Sequence, residues 1–181
     1  RRKDWMQQVR AEGDPPTGDV ATDEAYDGSG ATYDLFRDAF QRDSIDGNGL
    51  RLDSTVHYQK GYDNAFWNGQ QMVYGDGDED LPPADRLFNR FTIAIDIIGH
   101  ELTHGVTQYE AKLIYWDQPG ALNESMSDVF GSLVKQYLRG QTAAEAENDA
   151  EACGQFLKLL FLPCEVFFAF ACDGVIASFS T

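Results

Sequence analysis

His100-Glu101-Leu102-Thr103-His104 is the stretch from which the fold can be read. It lies inside a helical pattern, because Ala94, Ile98, Leu102 and Val106 recur every four residues as an apolar stripe. At about 100° per residue, the two histidines fall about 40° apart and roughly opposite that stripe. Both imidazoles can therefore point, one turn apart, at a single metal ion, as tetrahedral zinc requires of a helix. Glu101 sits beside them, offset around the helix. It can reach water at the metal without being a ligand, which suits a general base. Two histidines at this spacing also occur by chance on exposed helices, so the surrounding residues must discriminate.

Zinc held by two histidines needs a third protein ligand and an open position. Glu124 follows His104 by 20 residues, in a second helical pattern. That pattern offers Leu122, Met126, Val129, Phe130, Leu133, Val134 and Tyr137 for burial. Asp128 is one turn beyond Glu124 and shares its face. It can accept a hydrogen bond from the non-ligating nitrogen of His100 and so orient the ring. On an isolated helix both acids would simply be solvated; the histidine motif upstream gives them another reading.

Composition bounds the function class. Among 181 residues, 30 acids against 14 bases give a net charge of −16. A surface that negative repels nucleic acid and anionic membranes, so neither is expected as a partner. A hydrophobic fraction of 43% with 24% charged residues suits a chain that buries a core. Three cysteines, an odd number, are too few for a disulfide scaffold. The first residue is Arg1, so the sequence carries no information on an export signal.

Outward from the motif, the expected fold class is α+β, with strands followed by helices. Residues 1–30 are rich in turn formers, including Gly13-Asp14-Pro15-Pro16 and Asp27-Gly28-Ser29-Gly30, and read as an irregular arm. Tyr33, Phe36, Ala39 and Phe40 predict a helix over 31–43. After Asp46-Gly47-Asn48-Gly49, residues Leu50, Leu52, Thr55, Val56 and Tyr58 predict a strand, and 65–74 another. Asp76-Gly77-Asp78-Glu79-Asp80 and Pro82-Pro83 break the pattern. Helices follow at about 93–109 and 120–138. Composition shifts after about residue 145: the three cysteines (Cys153, Cys164, Cys172) lie there, and no Arg or His follows Arg139. Three parts result: the arm (1–30), a zinc-binding domain (31–145) and a divergent tail (146–181). The apolar run 156–172 is short for a membrane span and contains Lys158, Pro163 and Glu165, so no span is expected.

These motifs resemble the thermolysin family of zinc metallopeptidases, within its protealysin and griselysin branch. The resemblance rests on His100 to Thr107, on 120–130 and on Asn64-Ala65-Phe66-Trp67-Asn68-Gly69, and covers roughly 10–145. It implies a metalloendopeptidase with His100, His104 and Glu124 as zinc ligands. Glu101 would activate water and pass its proton to the leaving amine. Asn123 and Asp128 would orient the ligand histidines. Asn64, Ala65, Phe66 and Trp67 match an edge strand that pairs with an extended peptide substrate. Tyr115 matches an oxyanion-stabilising tyrosine. Ile97, one turn before the histidines on their face, would line the pocket for a bulky apolar residue after the cut. For Trp67, Tyr115 and Ile97 a plain core role remains open.

Other signals are weaker. Asn123-Glu124-Ser125 is formally a glycosylation sequon, but in the implied site it faces metal and helix. Acidic turns at 43–49 and 76–80 do not fit a full calcium loop. Asp96 matches a calcium-binding aspartate of the family, yet a usual acidic partner falls at Lys135, so only a weak case for calcium exists.

The family has a second, mostly helical domain, which supplies a histidine and an arginine to the transition state. The resemblance ends near 141–146, and that domain is expected to be absent. The tail, of altered reading frame or another origin, supplies neither group. Two functions follow: a zinc endopeptidase, or a zinc- and peptide-binding fragment of weak or no activity. Most relatives are secreted, and the nearest branch has members without an evident export signal, so secretion is expected with a cytoplasmic location open. Natural substrate and oligomeric state are not legible.

Overall fold

The computed structural model describes residues 7–141 and 145. Among them, 7–19 are irregular, as expected of an arm, and Arg10 anchors them by pairing with Asp23 at 3.0 Å and covering the ring of Tyr26. Helix α1 (Val20–Phe40) then begins well before the predicted position. Asp19 starts it: the carboxylate accepts from the amide of Ala21 and the hydroxyl of Thr22, partnering groups a helix start otherwise leaves open. Gly28-Ser29-Gly30, which suggest an irregular arm, lie inside this helix. Gly28 serves close contact instead of turning. A Cβ on Gly28 would sit 2.4 Å from Cδ1 of Ile98. The helix closes at left-handed Gln41, short of the predicted end at 43.

The sheet has three short strands in the order β1-β3-β2. β1 (Ser54–Thr55) runs parallel to β3 (Met72–Tyr74), and β2 (Ala65–Trp67) pairs antiparallel to β3. The single strand predicted over 65–74 is therefore a hairpin. Asn68 makes the turn: its carboxylate-like amide oxygen accepts from the amides of Gln70 and Gln71, and Gly69 takes φ +94°. Only Ser54 and Thr55 of the predicted strand pair in the ladder, though Leu50, Leu52 and Val56 still pack against the core. β2 is left as an edge.

Helix α2 (Ile95–Glu110) follows a 3-10 turn at Phe91–Ile93, and helix α3 (Asp117–Arg139) ends at Gly140 with φ 59°. α3 begins three residues before the predicted boundary because Pro119 falls in its first turn, where no amide partner is needed. Ile98 and Leu102 of α2 are buried with Ala25, Ala65, Met72 and Tyr74, while Val134 of α3 meets Leu35 of α1. Two glycines let α2 and α3 touch backbone to backbone. A Cβ on Gly99 would lie 2.9 Å from Val134, and one on Gly131 would lie 2.4 Å from the Asp96 carbonyl and 3.0 Å from the His100 amide. The helices thus come together at the turn of α2 that runs from Asp96 to the first histidine of the motif. No helix among the described residues is long and apolar enough to cross a membrane. The apolar run 156–172 and the three cysteines lie outside the described residues.

Candidate metal centre and active site

α2 contributes His100, Glu101 and His104 to one face, and α3 answers with Asn123, Glu124, Ser127 and Asp128. The Nε2 atoms of the two histidines are 3.1 Å apart. The Glu124 carboxylate lies 3.3 Å from Nε2 of His100 and 3.5 Å from Nε2 of His104. A tetrahedral centre with bonds of about 2.0–2.1 Å separates its ligands by about 3.3–3.4 Å. Oε2 of Glu124 faces His100 and Oε1 faces His104, so the carboxylate approaches both imidazoles at about that spacing, and a nitrogen–nitrogen–oxygen set suits zinc. His100, Glu101 and His104 also offer ligand atoms that all lie within 4.8 Å of one another, so Glu101 stands close to the two imidazoles.

The remaining ring nitrogens are held from behind. Nδ1 of His100 meets Oδ1 of Asp128 at 2.8 Å, and Nδ1 of His104 meets Oδ1 of Asn123 at 2.7 Å. Both oxygens accept, so the protons sit on Nδ1 and the Nε2 lone pairs face the metal position. Ser127 lies 3.1 Å from the same nitrogen of His104 and is absent from the sequence expectation. Tyr115 donates its hydroxyl to Glu124, and its ring stands 6.0 Å from that of His104.

The buried acids and imidazoles perturb one another. Burial alone would lower the affinity of His100 for its second proton, but Asp128, Glu124 and the charge of Glu101 carry its pKa up to about 10. Burial and the neighbouring His100 charge both hold His104 low. Burial pushes Glu101 up to about 7, against the pull of His100 and the Trp67 amide. Burial would raise Glu124 as well, yet the hydrogen bond to His100 and the imidazole charges keep it low. In an acid triplet this tight, a bound cation would act on every one of these groups.

Asn64, Ala65, Phe66, Trp67 and Ile97 all line the cleft that holds the histidines. The Trp67 amide donates to Oε2 of Glu101 at 3.2 Å, joining the edge strand to the motif. Phe66 also meets Tyr58 and Tyr62 edge-on, and the Asn64 side chain accepts from the amide of Ala65. Ile97 packs partly against the core as well. Asp96 pairs with Lys135 at 3.1 Å, so an ammonium faces the aspartate matched to calcium. Gln108, not expected from sequence, bonds to the Trp67 indole. Its position seven residues after Glu101 places it near the same helix face, which is the signal a periodic reading could have used.

Fold and site together define a zincin-type metallopeptidase scaffold, and comparison with known proteins gives the family. A family model described as the thermolysin metallopeptidase catalytic domain matches residues 7–108, and one described as the thermolysin metallopeptidase alpha-helical domain matches 111–153. The chain belongs to the thermolysin metallopeptidase family. It is 62% identical over 139 residues to an extracellular metalloprotease of Pectobacterium carotovorum subsp. carotovorum, covering 77% of this chain and 38% of that protein. It is 54% identical over 138 residues to protease PrtS of Photorhabdus sp. (strain Az29), covering 76% and 36%. The solved precursor of protealysin, a metalloproteinase from Serratia proteamaculans, superposes with a TM-score of 0.71 at 62% identity, covering 77% of this chain and 41% of that one. The chain therefore spans well under half the length of these relatives.

The second match corrects the expectation that the helical domain is absent. That domain is present in part: α3 lies within the matched residues, which run to 153, past the expected end of the resemblance at 141–146. The two helices read as one domain because the metal geometry joins them, even though the family assigns them to different halves.

Proposed function

We propose that the chain carries the catalytic centre of a zinc metalloendopeptidase, acting on polypeptides outside the cell. The observation that supports this best is the triangle of His100, His104 and Glu124, with Glu101 poised beside it. These three residues would hold the zinc; when bound, the ion supplies Lewis acidity, polarising an oxygen and making water more acidic. Glu101 takes the proton of the attacking water and delivers it to the leaving nitrogen. Its buried, raised carboxyl fits an acid–base role. Tyr115 offers its hydroxyl to the oxygen that gains charge as the carbonyl is attacked. Asn123 and Asp128 hold the imidazoles at their Nδ1 atoms.

The peptide lies along β2, which is an edge and can accept one more strand. Asn64, Ala65, Phe66 and Trp67 grip its backbone, a mode of recognition that suits cleavage within many sequences. Ile97, with Phe91 and Ile93 nearby in the cleft, favours a bulky apolar residue after the cut. The extracellular assignment leans on the relative named an extracellular metalloprotease. A zinc- and peptide-binding fragment of weak or no activity is the second reading, since the helical-domain match covers residues 111–153 alone.

Zinc-dependent cleavage of an unfolded protein by the 181-residue chain tests both, with Glu101→Ala alongside. Cleavage that needs zinc and disappears in the variant is expected. Stoichiometric zinc with no cleavage would favour the binding fragment, and cleavage surviving in Glu101→Ala would sink the mechanism.

A further inference from the structure

We propose that Gln108 is a positioning residue that bolts the β2–β3 hairpin to α2 and so fixes the peptide-gripping edge relative to Glu101. This rests on the peptidase reading above and adds a determinant of substrate affinity to it. Trp67 lies lengthwise along α2. Its amide donates to Oε2 of Glu101 at 3.2 Å. Its ring passes over Gly105, where a Cβ would come within 3.3 Å of Trp67 Cε2. Its indole Nε1–H donates to Oε1 of Gln108 at 3.0 Å. The Gln108 carboxamide then donates from Nε2 to the carbonyl of Gly69, at the hairpin tip, at 3.3 Å.

Glu101 and Gln108 are seven residues apart, or about 10.5 Å along the helix axis. The bond at Glu101, the ladder to β3 and the burial of Ala65, Met72 and Tyr74 with Ile98 and Leu102 hold the strands of the hairpin. The Gln108 bonds, two turns further along α2, add the far end of Trp67 and the tip at Gly69. The chemistry demands an amide side chain: it must accept from the indole and donate to a carbonyl at once, and a carboxylate can do only the first. Gln108 itself is exposed, so burial does not account for its placement.

Hydrogen exchange of the amides of 65–71 reads the bolt directly, and KM against kcat for a peptide with a bulky apolar residue reads its consequence. Both are measured on the zinc-loaded 181-residue chain, as wild type, Gln108→Ala and Gln108→Glu, with zinc content and melting temperature checked. Gln108→Ala is expected to speed exchange at Trp67 and at 68–71 about tenfold, the effect of losing hydrogen bonds of ordinary strength. KM is expected to rise about tenfold while kcat falls by less than about threefold, as for lost ground-state binding. Gln108→Glu keeps the indole acceptor and loses the donor, so Trp67 exchange stays near wild type while 68–71 exchange faster. Unchanged exchange in Gln108→Ala overturns the bolt, even if the wild type cleaves. Faster exchange with unchanged KM makes the bolt merely structural and overturns the positioning role. A wild type that does not cleave overturns the peptidase reading and the positioning role with it, whatever exchange shows.

Discussion

Glu101 combines burial, a strand amide on its carboxylate and the charges of His100, Glu124 and Asp128 around it. Removing its proton-transfer capacity while keeping its shape isolates the proposed acid–base role. Glu101→Gln is expected to retain zinc and to lower kcat by about 10²–10⁴, the usual worth of a positioned acid–base group; metal analysis and steady-state kinetics on one preparation check it. Glu124→Ala should instead lose the metal, because two imidazoles alone leave the tetrahedral set incomplete. Equilibrium dialysis with zinc measures that loss, and retained stoichiometric zinc would exclude Glu124 as a ligand. At this scale the sequence was most legible where partners are local. His100 and His104 share a helix turn, and Asp128 follows Glu124 by one turn, so spacing alone put them on matching faces. Ser127 and Gln108 were not legible, because what they touch arrives from another element: a histidine ring from α2 in one case, an indole from the hairpin in the other.

The two ligand-bearing helices work as a pair only because their backbones come close at Gly99 and Gly131. The carbonyl of Asp96 and the amide of His100 leave no room for a methyl group on Gly131. Gly131→Ala is expected to force α3 away from α2, costing about 1–3 kcal/mol in stability, as overpacking does. Because that shift moves Glu124 from the histidines, zinc affinity should fall together with the melting temperature; a variant that loses neither would show that the contact is slack. α2 and α3 were legible as elements, being long and periodic. The first half of α1 was not, because Gly28 and Gly30 disfavour a helix locally, and the close contact of Gly28 with Ile98 comes from another element. The hairpin was hidden for the opposite reason: 65–74 are strand-like throughout, and only Asn68 and Gly69 turn the chain back.

Across the whole molecule, the ion pairs of Arg90 tie distant parts together. Its guanidinium meets Glu24 of α1 at 2.6 Å and Glu79 at 2.8 Å, and Glu24 also accepts from the hydroxyl of Thr92. Burial alone would raise Glu24, yet Arg90 and Thr92 hold it below its ordinary 4.5. Its contribution to stability is therefore complete above about pH 4.5 and is lost as pH falls through the lower folded value. Glu24→Gln should flatten that part of the acid limb in a melting-temperature profile; a profile parallel to wild type would show the pair carries none of it. Metal should act on the same transition, since zinc at 1,000 times its Kd adds about 4 kcal/mol to the folded state. A chelator titration followed by calorimetry reads this as a fall in melting temperature. The family boundary was the least legible feature at this scale, because it falls between the ligands. His100 and His104 lie in the catalytic-domain match, and Glu124 lies in the helical-domain match. An ion held by the proposed ligand set would thus staple a seam: neither half would hold it alone, and filling the site would record that the two halves have found each other.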